Sequence, residues 1–281
     1  MSRKDWHRPE VEGPREGYRR IAMALSYDGS LFCGWQRQEG QRTVQQELEL
    51  ALGRMLGKDV IIQGSGRTDS KVHARCQVCH FDIDNPTIPL SAFEKGLNPI
   101  LPPGIRIHRA WEPEEPFNAR FSTMSRTYRY FIKDEASFTA FDQDYFAKVR
   151  KLPDLQVMNS YASLVQGTHD FSSFCASGDL SPSKFRDIYI SRFDMETDRF
   201  GCPMMVYTIA GNAFLYHMVR SLVGTMLSLG QKGIDAGVFA AMLEAKDRNE
   251  ALETAPSQGL YLWDVSYDES QFAWFEETED D

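Results

Sequence analysis

The 281-residue sequence has no apolar run long enough to cross a bilayer. Its most apolar later stretch, FLYHMVRSLVGTMLSLG (214–230), carries His217 and Arg220 and falls short of the ~20 clean apolar residues a span needs. The start, MSRKDWHRPEVEGPREGYRR, is charged and broken by Pro and Gly, without the apolar centre of an export signal; residues 1–19 read as a flexible tail. These absences lead us to expect a cytoplasmic protein with no membrane partner. Cysteine is scarce and odd in number, five at scattered spacings, which argues against a disulfide framework and for reduced thiols. CQVCH (76–80) matches C-x-x-C-H, a pattern of haem attachment, and C-x-x-C also serves zinc and redox sites. However, RCQVCHFDID has the length and residue types of a strand, where positions three apart point to opposite faces, and no second C-x-x-C exists. Strand cysteines are the expectation.

Composition is that of an ordinary folded protein, 42% hydrophobic and 25% charged, and the length allows one large domain or two coupled ones. A formal net charge of −9 is unpromising for a nucleic-acid binder, but seven acids and no Lys or Arg lie in residues 268–281, so the remainder nets only −2. This end reads as an acidic tail. The stretch FNARFSTMSRTYRYFIK (117–133) reverses the sign. It holds Arg120, Arg126, Arg129 and Lys133 with no acid, interleaved with Phe121, Tyr128, Tyr130 and Phe131. Cations among aromatic faces can hold phosphates while bases stack; an amphipathic strand with a solvated basic face is the equal alternative.

GSGRTDSKVHA (64–74) places a lone carboxylate, Asp69, between Arg67 and Lys71. A general acid/base pair needs two tuned groups and a metal site needs several ligands; neither is present. Nearby cations keep such a carboxylate ionised at neutral pH, fit to be a nucleophile or simply a salt-bridged turn. A third reading, a phosphate-cradling loop, lacks the G-x-x-x-x-G-K-[ST] and G-x-G-x-x-G patterns. The adjacent His169 and Asp170 do not naturally face one another and read as loop structure, His217 as a helix-packing histidine, and Tyr27 with Asp28 as a turn.

Periodicity predicts a strand over 19–29 and an amphipathic helix over 43–57, with Val44, Leu48, Leu52 and Met55 on one face and Thr43 with Gln46 as a capping pair. Strands are expected at DVIIQGS, CQVCHFDI, GIRIHRAW and around 119–133, with a short helix near LSAFEKGL. A polar, Pro-containing stretch at 134–160 suggests a junction between an N-terminal catalytic subdomain (20–150) and a C-terminal subdomain (151–267). The second half reads as a helix at 154–167, strands at KFRDIYISRFDME and PMMVYTIAG, helices FLYHMVRSLVGTMLSL and DAGVFAAMLEA, and a last strand GLYLWDVSYD. The element order is mixed α and β, without the strict alternation of a doubly wound sheet.

Taken together, YDGSLFCGWQRQ (27–38), TVQQELELAL (43–52), GSGRTDSKVHA, LNPILPPGI (97–105), FNARFSTMSRTYRY (117–130), GTHDFSSF (167–174), NAFLYHMVRSLVG (212–224) and GLYLWDVSY (259–267) resemble the tRNA pseudouridine synthases of the TruA type, in family order from about residue 20 to 267. The resemblance implies an α+β pseudouridine synthase fold, two α/β subdomains with mixed, largely antiparallel sheets around a central cleft. It implies an isomerase that turns uridine into pseudouridine at positions 38 to 40 of the tRNA anticodon stem-loop, acting as a homodimer with no cofactor and no metal. On the matching positions, Asp69 is the nucleophile, Tyr128 stacks on the extruded target base, and Arg220 pairs with Asp69. Arg67, Lys71, Arg126 and Arg129 are candidate substrate contacts. The sequence departs from the pattern at Ser70 and Lys71, where the family has a small residue and glycine, at Asn118 for the usual His, and in TAPSQGLYL. A noncatalytic RNA-binding protein retaining the fold is the rival reading.

Overall fold

The computed structural model describes residues 10–113 and 116–267. The acidic stretch 268–281 and the first nine residues of the expected N-terminal tail lie outside them. The described residues form two compact units, one running to Met124 and taking in 264–267, the other of 125–263. The expectation placed the Arg/Tyr strand in the N-terminal half; its pairing partner below puts it in the second unit. The stretch 134–160 lies inside that unit rather than between two.

In the first unit, β1 (Arg19–Tyr27) is the middle strand, flanked by β3 (His73–Ile83) and β4 (Ile105–Trp111), both antiparallel to it. The predicted strand at DVIIQGS shrinks to β2 (Gln63–Gly64), paired with β3. Ile61 is exposed there, and the Ile62 N–H goes to the Glu49 carboxylate instead of a neighbouring strand. Helix α1 (Val44–Leu56) starts where Thr43 Oγ1 accepts the Gln46 N–H and ends at Gly57 in the left-handed region. Its Val44, Leu48 and Leu52 are buried, as the spacing requires. The expected short helix is a wide π-type turn, Ala92–Gly96.

Cys76 and Cys79 lie on β3 as expected, and all five cysteines are free. Burial pushes the Cys76 thiol up to about 12, with Asp264 adding to it, and burial raises Cys79 as well. Both stay protonated near neutral pH, the opposite of what a metal ligand or nucleophile needs.

The second unit is built on β5 (Ser125–Asp134), β9 (Pro203–Gly211), β8 (Phe185–Thr197) and β7 (Gly167–Asp170), antiparallel in that order, with β6 (Ala147–Val149) parallel to β5. The FNAR stretch turns out to be a loop: Asn118 Oδ1 accepts the N–H groups of Arg120 and Phe121, an Asx turn that stops strand pairing before Ser125. Helix α2 (Leu155–Val165), capped by Asp154, packs on β8, α3 (Met218–Gln231) and α4 (Ala236–Ala245). Helix α3 begins later than periodicity predicts because His217 adopts a left-handed backbone, φ 61°, which no helix can continue through. The last strand, β10 (Leu260–Ser266), crosses from the second unit into the first along the chain. The result is α+β with largely antiparallel pairing. No helix among the described residues is long and apolar enough to cross a membrane.

Candidate active site

The GRTD loop is fixed along its length by hydrogen bonds, most of them to residues outside it. At its start, the Ser65 N–H donates to the Val78 carbonyl at 2.7 Å and Ser65 Oγ to Gln77 Oε1 at 2.5 Å, while Gln77 Nε2 donates to the Gly66 carbonyl at 3.0 Å. Ser65 and Gln77 are wholly buried, so these bonds replace water rather than compete with it. At its centre, Thr68 shares a 2.7 Å hydroxyl bond with Tyr27, and its carbonyl accepts the Trp35 N–H at 3.1 Å. At its end, the Lys71 N–H reaches the Phe32 carbonyl and the Val72 N–H the Asp69 carbonyl.

The segment 27–35 lies against this loop at distances only glycine permits. A Cβ on Gly34, whose φ is +87°, would stand 2.7 Å from the Thr68 carbonyl oxygen and 3.0 Å from the Asp69 carbonyl carbon. A Cβ on Gly29 would stand 2.1 Å from the Val72 carbonyl oxygen. Beside it, His73 Nδ1 accepts the Gly29 N–H at 3.0 Å. That leaves this nitrogen no proton to give to Asp28, 3.3 Å away, so we assign a contact rather than an ion pair; the Asp28 carboxylate is satisfied by Ser30 N–H and Oγ.

On this scaffold Asp69 is half-buried, Arg67 and Lys71 are exposed, and Thr68 is buried. Lys71 has φ 66°. It sits where the family pattern has glycine, and the left-handed backbone there explains why glycine suits the position.

The other predicted residues belong to the second unit. Tyr128 is buried on β5, edge-on to Phe214 with ring centroids 5.0 Å apart. Arg220 lies in the first turn of α3; its Nε donates to the Ala255 carbonyl at 2.8 Å and its own carbonyl accepts the Ala255 N–H at 3.0 Å. A Cβ on Gly224 would be only 1.8 Å from the Glu253 carbonyl oxygen, so the same helix face is pressed against the 253–255 segment. Arg220 also acts electrostatically on Tyr130, whose hydroxyl burial pushes upward and the guanidinium draws down.

Strand alternation separates the remaining two arginines. Arg126 shares the Tyr128 face but is buried, with Nη1 on the Asn212 carbonyl. Arg129 lies on the opposite face, ion-paired to Glu196 and stacked over Trp263, its guanidinium carbon 4.5 Å from the ring centroid. Both guanidinium groups therefore have protein partners, a carbonyl for Arg126 and a carboxylate and indole ring for Arg129. His169 Nε2 meets the Gln166 carbonyl and Asp170 caps Ser172, so the two do not form a dyad; they lie on β7 rather than in a loop. His217 is not packed inside a helix but precedes it, its ring stacked on Tyr216 at 3.9 Å. Sequence reasoning missed Tyr27, Trp35 and Thr68 as the supports of Asp69; the only sequence signal was the YDG strand end, read as a turn.

No group of three or more His, Cys, Asp or Glu able to hold a metal occurs among the described residues. The arrangement instead offers a half-exposed carboxylate on a rigid loop.

That loop and its supports fall within a match to the family model described as tRNA pseudouridine synthase, covering residues 23–122 and 161–268. Similar proteins include the tRNA pseudouridine synthase A of Treponema denticola, 42% identical over 90% of this chain and 95% of its own length. That of Bacillus subtilis is 43% identical over 89% and 99%, and that of Francisella tularensis 36% over 89% and 95%. With the fold, the GRTD loop and these full-length likenesses agreeing, the chain belongs to the tRNA pseudouridine synthase family.

Proposed function

We propose that this protein isomerises uridine to pseudouridine in tRNA, at positions 38 to 40 of the anticodon stem-loop, with Asp69 as the nucleophile. The N1–C1′ glycosidic bond breaks, the uracil turns while bound, and a C5–C1′ bond forms; C5 loses a proton and N1 gains one. No atom is lost, so the chain needs to supply only a carboxylate, a base platform and cations. A base inside a stem is out of reach, so the target nucleotide is extruded onto Tyr128, which also assists proton transfer. Arg220 pairs with Asp69 and aims it, while Arg67 and Lys71 meet the RNA backbone. The reading extends to a cytoplasmic homodimer in which one tRNA touches both subunits.

The observation that carries this reading is the loop itself. An aspartate partly open to solvent is held by a buried hydroxyl bond, two close-approach glycines and the Ser65–Gln77 network, in a chain of this family. The test is pseudouridine mapping on an unmodified tRNA transcript. Asp69→Asn should lower turnover on the order of 10⁴-fold or more while still binding tRNA. Wild-type turnover in that variant would reject Asp69 as nucleophile, and wild-type protein that binds tRNA without converting it would favour the noncatalytic RNA-binding alternative.

A further inference from the structure

Among the described residues, three that are not glycine adopt a left-handed backbone: Lys71, His217 and Lys246. All three are basic types. A lysine in this region is strained where glycine would be free, so its retention points to work done by the side chain. Lys71 is accounted for by the proposed site. The other two lie in the second unit, where Lys246 lines a surface cavity and His217 follows Tyr216, whose N–H is bound by another residue of that cavity, Asp179.

That cavity, about 340 Å³, is lined by Lys184, Lys246, Arg248, Asp179 and Asp247 together with small residues of the 172–177 turn. Its charges do not cancel. Asp179 is used up by Lys184 at 2.7 Å and by the N–H groups of Ser181 and Tyr216. Asp247 caps Asn249. Among the described residues Arg248 donates to neutral acceptors, the Ala251 carbonyl and Thr254 Oγ1. Lys246, exposed at the end of α4, completes an excess of positive charge.

Asp179 joins this cavity to an aromatic platform, because its Oδ2 accepts the Tyr216 N–H at 2.7 Å. Tyr216 is 48% exposed and stacked on His217 with the planes 33° apart. An exposed tyrosine is often incidental; one braced by a second ring beside surplus cations has the composition of a single-stranded nucleic-acid site.

We propose that Tyr216 and this cavity form a second RNA contact, in which a base of an unpaired segment stacks on Tyr216 and the neighbouring backbone phosphate lies between Lys246 and Arg248. Tyr216 stands four residues before Arg220 on the same chain segment. The inference rests on tRNA being the substrate.

The test compares full-length wild-type protein with Lys246→Gly and Tyr216→Ala. Each is assayed for binding to an unmodified tRNA transcript across 50 to 200 mM salt, for melting temperature, and for pseudouridine formation. Lys246→Gly should melt higher than wild type, since strain is relieved, yet bind more weakly, with the slope of log affinity against log salt shallower by about 0.7 for one lost single-strand phosphate contact. Tyr216→Ala should weaken binding by roughly tenfold with the slope unchanged. Wild-type affinity and slope in Lys246→Gly, despite its raised melting temperature, would overturn the inference even with wild-type pseudouridine formation intact. Binding losses as expected, in a protein that forms no pseudouridine, would overturn the catalytic reading and leave the contact standing.

Discussion

The two units stabilise their buried polar groups by different means. In the first, the buried polar side chains are nearly all neutral: Thr43, Gln45, Ser65, Thr68, His73, Gln77, His80, Thr123 and Ser266, with Glu49 the single buried ion among the described residues. In the second, Arg126, Lys133, Asp142 and Arg186 are all buried. Neutral donors and acceptors hold a loop in one geometry with little dependence on salt, which suits a unit that carries the proposed nucleophile. Buried ions lose far more when a partner is removed, so the second unit is the more brittle to single changes.

The largest expected effect tests that brittleness. Lys133 is buried between Asp142 at 2.9 Å and Asp198, tying β5 to the turn at 139–142 and to the loop between β8 and β9. Lys133→Met should destabilise the fold by about 3–5 kcal/mol in chemical denaturation, because it strands two carboxylates away from water. Adding Asp142→Asn and Asp198→Asn should recover much of the loss, since the amide oxygens can still accept the Thr139, Phe200 and Cys202 N–H groups. If Lys133→Met alone is neutral, the contrast between the units fails.

Acid should strike the units in a different order. His80 accepts the Ala119 N–H at 3.1 Å, and burial, aided by Arg20, lowers its pKa from 6.5 to about 4. The unfolded chain takes up that proton as pH drops below about 6.5, whereas the folded chain resists until about 4, so the stabilisation present above 6.5 is lost between these values. The loss is on the order of 3 kcal/mol. Asp142 and Asp198 have pKa values lowered below 3.8: burial opposes the shift for both, but Lys133 and backbone N–H groups prevail, so the triad holds until the pH falls further. Melting at pH 7 and 4.5 should show a drop that His80→Gln reduces. A drop of equal size in that variant would remove His80 as its source.

Why some of this was legible in sequence and some not follows from the range over which each feature is encoded. Helix α1 and strands β1, β3 and β4 repeat their apolar spacing within a dozen residues, and local periodicity finds them. Strands β2, β6 and β7 are two to four residues long and exist only because a neighbour offers hydrogen bonds, which is not local information. The site shows the same division. GRTD is a contiguous motif, but the hydroxyl supporting it comes from Tyr27, 41 positions away. Tyr128 and Arg129 are adjacent in the sequence yet face opposite sides of β5, a separation that composition does not carry and strand alternation does.

Tyr27 offers a smaller effect within the neutral unit. Tyr27→Phe removes the 2.7 Å bond to Thr68 and keeps the ring. We expect kcat to fall about five- to tenfold with KM little changed, matching roughly 1 kcal/mol of lost positioning just before Asp69. Thr68→Val should cost a similar amount, and the double variant no more than either alone, if the two hydroxyls act through one bond. Fully additive losses would show that Tyr27 acts by another route.

The smallest effect has the opposite sign in stability and brings the units back together. Lys71 in the first unit and Lys246 in the second occupy the same left-handed backbone region, φ 66° and 54°. Glycine at Lys71 would relieve on the order of 1 kcal/mol of strain, partly offset by a more flexible unfolded chain, for a net gain of a few tenths to about 1 kcal/mol. If Lys71 is kept for its charge, Lys71→Gly should melt slightly higher while binding tRNA more weakly at low salt, with the difference shrinking as salt rises. Melting and salt-dependent binding on one preparation decide it: a variant both more stable and equally good at binding would mean that the strain at position 71 serves no contact with RNA. The comparison with Lys246→Gly then separates two kinds of cation. Losing the one next to the proposed nucleophile should also slow turnover of bound tRNA, because it changes the loop that carries Asp69, whereas losing the one beyond α4 should act on affinity alone.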